Sequence, residues 1–316
     1  MQFGLTEIQQ LLKNSAREFF SAEYPIAEVR RIMETPFAHD PKLWRKTADQ
    51  GWCGMTIPEA QGGMGLDLVE AAAAMEEAGR ALVPGPLLAH LTACVAIASS
   101  GQVPPGLATG EKIATFADAT KLFVMDAAVA DFIIAPGQLI DRFTTLHLPA
   151  IDLTRRLYKI DFESGQPIQA DLDRALAIGT VLLCAEITGA MQRVLDITVA
   201  YVKTRKQFGK AVGAFQLVQA MCADMLVATE SARSATYYAA YAMQENLPDS
   251  LAAVSVAKSF INEAARQTGN NAIQCHGGMG FTWENEIHLY YRRIKAAETA
   301  FGDTAWHRER IAQLVL

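Results

Sequence analysis

The sequence predicts a mainly α chain with a small β segment in its middle, on three observations. Long stretches rich in Ala, Leu and Met occupy Leu172–Thr204, Ala214–Asn246 and Ser250–Gln274, each longer than an average helix and suited to a helical bundle. From Thr6 to about Leu107 the apolar spacing is again helical. Between Glu111 and Ile168 it changes to short apolar runs, Lys121–Met125, Phe132–Ala135 and Thr144–Leu148, broken by Asp, Pro and Gly in the manner of strands. The expected division is 1–110 helical, 111–168 β and 169–316 helical bundle.

Taken in order, the first helix puts Leu11, Leu12, Ala16, Phe19 and Phe20 on one face. Pro25 interrupts the pattern, and a second helix starts near Asp40-Pro41, with proline in its first turn. Trp52 to Leu66 is a loop punctuated by Pro58, Gly62, Gly63 and Gly65. The helix from Asp67 to Arg80 carries an alanine-rich face suited to close packing. After the strands come the three long helices, with Pro248 marking a stop between the second and third, and a last helix from Asp303 to the C-terminus.

The 316 residues suffice for two or three domains and a large core. A net charge of −6 argues against nucleic acid or an anionic membrane as the main partner. Five scattered cysteines without CxxC spacing, and a start without a targeting pattern, lead to the expectation of reduced thiols and a cytoplasmic protein. The most apolar run, Ala175 to Ala185, is too short to cross a bilayer and reads as a central bundle helix.

The chemistry concentrates in two stretches. Gln274–Thr304 opens on a polar, glycine-rich turn (Gln274, His276, Gly277, Gly278, Gly280) whose backbone N–H groups can approach an anion. A helical segment with Arg292 and Arg293 follows, read as an interface or solvated pair, and Gly302-Asp303-Thr304 ends it. Two glycine breaks around one helix suit a bracketed ligand and an ordinary loop equally, since they carry neither P-loop nor Rossmann spacing. The second stretch, Arg205-Lys206-Gln207-Phe208-Gly209-Lys210, ends the first long bundle helix. A planar guanidinium such as that of Arg205 suits a diphosphate, or simply a solvated helix end. Phe208 and Phe215 read as core residues rather than ring contacts, and His276 as a hydrogen-bonded loop residue rather than a base. The six histidines show neither HxxxH nor HExxH spacing, so no metal site is expected.

These two motifs, together with GWCGMTIPEAQGGMGLDLVEAAAAMEEAGRAL near the start, resemble the acyl-CoA dehydrogenase family in order and spacing. The resemblance covers most of the chain except a short middle part, and implies an N-terminal helical domain, a truncated middle β domain and a C-terminal four-helix bundle. It places the Trp52–Leu66 loop near the acyl end of the substrate. It implies FAD as cofactor, an acyl-CoA substrate of fatty-acid or sterol side-chain β-oxidation, and electron-transfer flavoprotein as acceptor. Arg205, Gln207 and Phe208 would meet FAD bound by a neighbouring subunit; Gln274, Gly277 and Gly278 would meet its adenine and diphosphate end, and Thr304 would also contact cofactor.

The likeness fails in specific places. Missing are a polar loop with a Gly-Ser-Asp element and a tryptophan–threonine pair, which in the family cover one face of the flavin ring. Dehydrogenation needs a carboxylate to remove the α-proton. Most relatives supply it in a Tyr-Glu-Gly-Thr run, whose glutamate position falls here on Gly302; the minority position falls near Gly179. The family's pantetheine-contacting aspartate and arginine fall on Ala177 and Thr180. Asp303 is either a displaced base or a helix-capping residue. The resemblance therefore leads to a base-lacking subunit that contributes half of a flavin site within a dimer or tetramer; the alternatives are a self-sufficient enzyme using Asp303 and a non-redox scaffold without flavin.

Overall fold

Thr6 opens the first helix, α1 (Glu7–Glu23), through a capping box in which its hydroxyl accepts from Gln9 N and the Gln9 side chain accepts from Thr6 N. The computed structural model describes residues 4–117, 120 and 122–315, so the expectation at Lys121 lies outside the described residues. Ala16 and Phe20 of α1 are buried, with Leu12 and Phe19 packed at their edge. Leu11 corrects the expected face: it is 63% exposed, because it lies about 100° around the helix from Leu12. Pro25 does more than interrupt. It stands at the N-cap of a further helix, α2 (Ile26–Met33). The helix announced by Asp40-Pro41 is therefore the third, α3 (Pro41–Asp49), with the Asp40 carboxylate accepting from the N–H groups of Lys42 and Leu43.

Two more helices, α4 (Leu68–Arg80) and α5 (Leu87–Ser99), complete the first helical part. The short strands are β1 (Ala114–Phe116), β2 (Val124–Met125), β3 (Phe132–Ala135), β4 (Gln138–Ile140), β5 (Thr144–Leu148), β6 (Leu157–Asp161) and β7 (Gln166–Pro167). They form two sheets, ordered β1-β3-β4-β7 and β2-β6-β5, in which β1 and β3 are parallel. Strand alternation makes this a small sandwich. Ile134 and Leu139 face one core shared with Ala93, Cys94 and Ile97 of α5, while Ile133 and Ile140 face a second core with Val124, Tyr158 and Ile160 of the other sheet.

The remainder is α6 (Leu172–Thr204), a hairpin of β8 (Lys206–Gln207) and β9 (Lys210–Ala211), then α7 (Gln216–Gln244), α8 (Ser250–His276), α9 (Ile287–Ala297) and α10 (Thr304–Val315). Helix α6 is long and apolar enough to cross a membrane by composition, yet 89% of its most apolar window is buried inside the protein.

The main core runs across both helical parts because α4 and α6 cross at glycines. A Cβ on Gly79 would stand 1.8 Å from the backbone oxygen of Glu186, and one on Gly189 would stand 1.7 Å from that of Glu76. The alanines around them, Ala71, Ala72 and Ala78 on α4 and Ala185 and Ala190 on α6, are fully buried. This crossing admits no side chain without a backbone shift. Gly189→Ala is expected to cost about 1–3 kcal/mol or more, as overpacking does. Gly278→Ala, whose Cβ meets nothing within 4 Å, serves as the control. Denaturant titration of both variants checks this, and equal midpoints would contradict it.

Candidate functional site

Two regions hold the residues singled out in the sequence. The first is the far end of α6. Arg205 caps that helix in extended conformation, and the chain turns through Phe208 and Gly209, at φ 51° and 79°, between the paired Gln207 and Lys210. Two positive φ values in a two-residue loop are the geometry that fits a twisted hairpin. Glycine adopts it freely, but phenylalanine does so under strain. Phe208 is also 92% exposed, so the expectation of a core residue is corrected: the hairpin tip carries the ring away from every packed layer. Phe215 is half-buried rather than core; it meets Phe208 edge-on at 6.2 Å, and the Lys210 ammonium sits 4.2 Å from its ring centre. Arg205 and Gln207 are exposed beside it, and Arg205 makes no ion pair among the described residues.

The glycine-rich turn lies next to this hairpin. Tyr201 of α6 stacks on His276, the last residue of α8, at 4.2 Å and 16°. His276 is a buried helix-end residue rather than a loop residue. Ile287 N donates to Asn285 Oδ1, which orients the amide so that its Nδ2 donates to His276 Nδ1 at 3.1 Å; burial holds this histidine below its ordinary pKa. Gln274, Gly277 and Gly278 are exposed immediately alongside, and Gly277, at φ 59° and ψ −141°, occupies backbone space that only glycine takes readily. Phe281, Trp283 and Met279 are exposed around the turn. The result is a cationic hairpin beside an open glycine turn, rimmed by aromatic rings.

The second region is a cavity of about 770 Å3 between the β sandwich and the end of α9. Phe116, Val124, Leu157, Leu176, Phe301 and Trp306 are among its apolar walls, and Asp152, Arg155 and Arg293 close one end. The expectation that Arg292 and Arg293 form a solvated or interface pair is half corrected. Arg292 stays near the surface, its guanidinium reaching Ile151 O at 3.3 Å. Arg293 is 1% exposed: it donates to Asp152 Oδ2 at 2.5 Å, Glu186 Oε1 at 2.6 Å, Thr154 Oγ1 at 2.5 Å and Val83 O at 3.1 Å. Arg155 donates to the same Glu186 oxygen at 2.5 Å. Burial alone would push the Asp152 carboxyl up, but Arg293 and Arg155 override it and hold it below the usual range. These partners lie far apart in sequence, so nothing local to the RR pair announces its burial. None of the Trp52–Leu66 loop lines this cavity; Gly54 of that loop packs instead on Ala108 O, and Gln61 donates to Ala98 O.

Both positions where the resemblance would put a catalytic glutamate are closed. Gly302 sits at φ 103°, and a Cβ there would stand 2.6 Å from the Trp306 ring and 3.0 Å from His307 Nε2. Around it the chain is clamped. Lys258 Nζ donates to Gly302 O (3.1 Å), Ala297 O (2.9 Å) and Asn262 Oδ1 (2.6 Å), while His307 Nε2 donates to Phe301 O (3.1 Å). A Cβ on Gly179 would stand 2.5 Å from the Thr92 methyl carbon. Ala177 and Thr180 are buried, and the Thr180 hydroxyl turns back to Leu176 O. Asp303 is exposed, lies outside the cavity lining and accepts from Trp306 N at 2.8 Å, capping α10 at the helix that Thr304 begins.

This geometry sits on a chain whose comparisons agree. Models of the N-terminal and C-terminal domains of acyl-CoA dehydrogenases match residues 6–103 and 171–316. The acyl-CoA dehydrogenase IpdE2 of Mycolicibacterium smegmatis is 36% identical over 98% of both chains. The chain belongs to the acyl-CoA dehydrogenase family. A variant of the Tcur3481–Tcur3483 steroid ACAD superposes at TM-score 0.88 with 25% identity over 98% of both chains. The ChsE4–ChsE5 complex of Mycobacterium tuberculosis shares the fold at TM-score 0.86, with 22% identity over 99% of this chain and 98% of that one. The family is FAD-dependent. The hairpin and glycine turn fit a dinucleotide, since a Cβ on Gly277, Gly278 or Gly209 would meet nothing within 4 Å, leaving the space a phosphate needs.

Burial lowers Lys258 from 10.5 to about 8. Between those values the unfolded chain binds more protons than the folded one, so stability rises with pH across the window. Relative to Lys258→Met, the wild type is expected to gain on the order of 3 kcal/mol from about pH 8 to about pH 10.5. Denaturant titrations across that window measure it, and a pH-independent difference would contradict the assignment.

Proposed function

We propose that this chain is a base-lacking subunit of an FAD-dependent acyl-CoA dehydrogenase, lending Arg205, Gln207, Phe208, Gln274, Gly277 and Gly278 to flavin bound by a glutamate-bearing partner. The observation that carries this reading is the pairing of two closed base positions, Gly302 and Gly179, with an open cofactor-side surface. A lost glutamate in a decaying enzyme leaves a gap. Here Trp306, His307 and Thr92 fill both places. FAD, when bound, supplies the hydride acceptor; this chain's part is to position it. The Arg205 guanidinium offers a charge-assisted contact to a phosphate, and the glycine turn allows close approach. Asp303 serves as a helix cap: its carboxylate is taken up by Trp306 N and it does not line the cavity, which supports that role over catalysis. Thr304, which the resemblance places at the cofactor, starts α10 directly after Asp303.

The substrate class is an acyl-CoA from sterol breakdown, supported by the steroid ACAD among the similar structures, with electron-transfer flavoprotein as the acceptor. Two of the similar structures name two components each, in keeping with a heteromer. Assembly uses the exposed apolar faces of α7 (Leu217, Leu226, Val227) and α8 (Val256, Phe260), consistent with a tetramer.

Turnover across a panel of acyl-CoAs with an artificial electron acceptor tests this. The chain alone is expected to be inactive, and co-expression with a glutamate-bearing family member to give activity that Asp303→Asn leaves unchanged. Loss of a placed general base is worth roughly 10²–10⁴ in rate, and Gly302→Glu is expected not to recover it. Robust turnover by the chain alone, abolished by Asp303→Asn, would overturn the reading. Separately, Arg205→Ala is expected to weaken flavin retention in the complex by about 1.5–3 kcal/mol, measured by equilibrium dialysis; unchanged retention would remove Arg205 from the cofactor site.

A further inference from the structure

Three sulfur atoms meet where α7 passes the end of α8. Cys275 Sγ donates to Met221 Sδ at 3.8 Å, and Cys222 is the next residue along α7. The thiols of Cys222 and Cys275 stand close enough to perturb each other: burial raises both, and their mutual contact then holds Cys222 down and Cys275 up. Access separates this pair from the other cysteines. Cys222 is half-buried and lines an open groove of about 650 Å3 between α6 and α7, beside Val199 and Leu226. Cys53, Cys94 and Cys184 are sealed in the core at 1% exposure or less. His90 also stands between Cys53 and Cys94, its Nε2 meeting Cys53 O at 3.1 Å and Cys94 Sγ at 3.4 Å.

The place of the pair in the fold gives a bond there a consequence. Helices α7 and α8 are joined by the short segment 245–249, and both thiols lie toward the opposite, open end of that helix pair. Cys275 is one residue from the end of α8; His276, stacked on Tyr201, and the Gly277 turn follow it directly. A thiol donates weakly and a thioether accepts weakly, so little is lost when Cys275 turns from Met221 to Cys222.

We propose that Cys222 and Cys275 form a dithiol modification site, which a low-molecular-weight disulfide such as glutathione disulfide oxidises to a bridge between α7 and α8. Cys222, the accessible thiol, gives up its proton and attacks one sulfur of glutathione disulfide. A Cys222–glutathione bond forms, and the expelled glutathione takes up the proton. Cys275 then loses its proton to the second leaving glutathione as its sulfur attacks Cys222 Sγ. The chain loses two hydrogens, and the glutathione disulfide is reduced to two thiols. The bridge ties the open end of the helix pair and holds the last turn of α8, from which the glycine turn leaves, against α7. An assembly that uses Leu226 covers the groove, so the site belongs to the unassembled chain, and the inference does not require the subunit reading.

Exchange of the full-length chain with glutathione disulfide, followed by intact mass and a non-reducing peptide map, tests this. The wild type is expected to lose two hydrogens, with the Cys222 peptide joined to the Cys275 peptide, and to regain them in dithiothreitol. Because the bridge closes a long loop of the unfolded chain, the urea midpoint of the oxidised form is expected to rise by about 1 M. Cys222→Ser, at a half-buried position, is expected to prevent both the mass loss and the rise. Cys275→Ala is expected to stop the reaction at glutathione held on Cys222. Any one of four results would overturn the proposal: no bridge in the folded wild type, a bridge through another cysteine or between two chains, a mass loss that survives Cys222→Ser, or an unchanged midpoint. Flavin content and turnover of the assembled complex report on the subunit reading independently.

Discussion

The fold turns on one buried guanidinium. Arg293 reaches from α9 to Glu186 of α6, to Asp152 and Thr154 between β5 and β6, and to Val83 after α4. One side chain therefore ties the bundle, the β sandwich and the N-terminal helices together. Its position depends on the α4–α6 glycine crossing, which brings Glu186 and the α4 terminus within its reach. A buried ion pair of this kind is weak evidence of net stability, but removing one partner is strongly destabilising because it strands the others. Replacing Arg293 would leave Asp152 and Glu186 with Arg155 alone.

The same cluster shapes the cavity and its surroundings. It closes one end of the cavity and fixes the start of the chain that runs on to Gly302. There Lys258, Asn262 and His307 hold the backbone by its carbonyls: Asn262 donates to Glu298 O, and His307, neutral with a pKa near 4, donates to Phe301 O. A loop pinned by its own oxygens, with an aromatic ring over its glycine, has no room for a catalytic side chain. The hairpin of Phe208 and the turn of Gly277 lie beyond this rigid centre, exposed and locally strained, as residues aimed at another molecule are.

Much of this was legible in the sequence. The bounds of α6 follow from Asp171, whose side chain accepts from Arg174 N, and from the polar run after Thr204. The strands at Phe132–Ala135 and Thr144–Leu148 stood where their apolar runs lay. Family and cofactor followed from motifs that keep their spacing. What escaped was whatever distant partners decide. Arg293 is buried because of Asp152 and Glu186, more than a hundred residues away; Phe208 is exposed because a hairpin follows Arg205; α2 is eight residues long, too short to show a clear period after Pro25. Leu11 differed from its expected face by one position on the helix. The closure of Gly302 and Gly179 was visible as missing carboxylates, but the rings and methyls that fill the space belong to the fold.

The central claim, a flavin site completed by this chain for a partner, is tested most directly by the flavin-to-chain ratio of the purified complex with a glutamate-bearing family member. Absorbance of released flavin against quantified chains gives that ratio. The account predicts one flavin for each pair made of this chain and its partner, because this chain lends its hairpin and glycine turn to flavin held by the partner. One flavin for every chain, or none in an active complex, would contradict it.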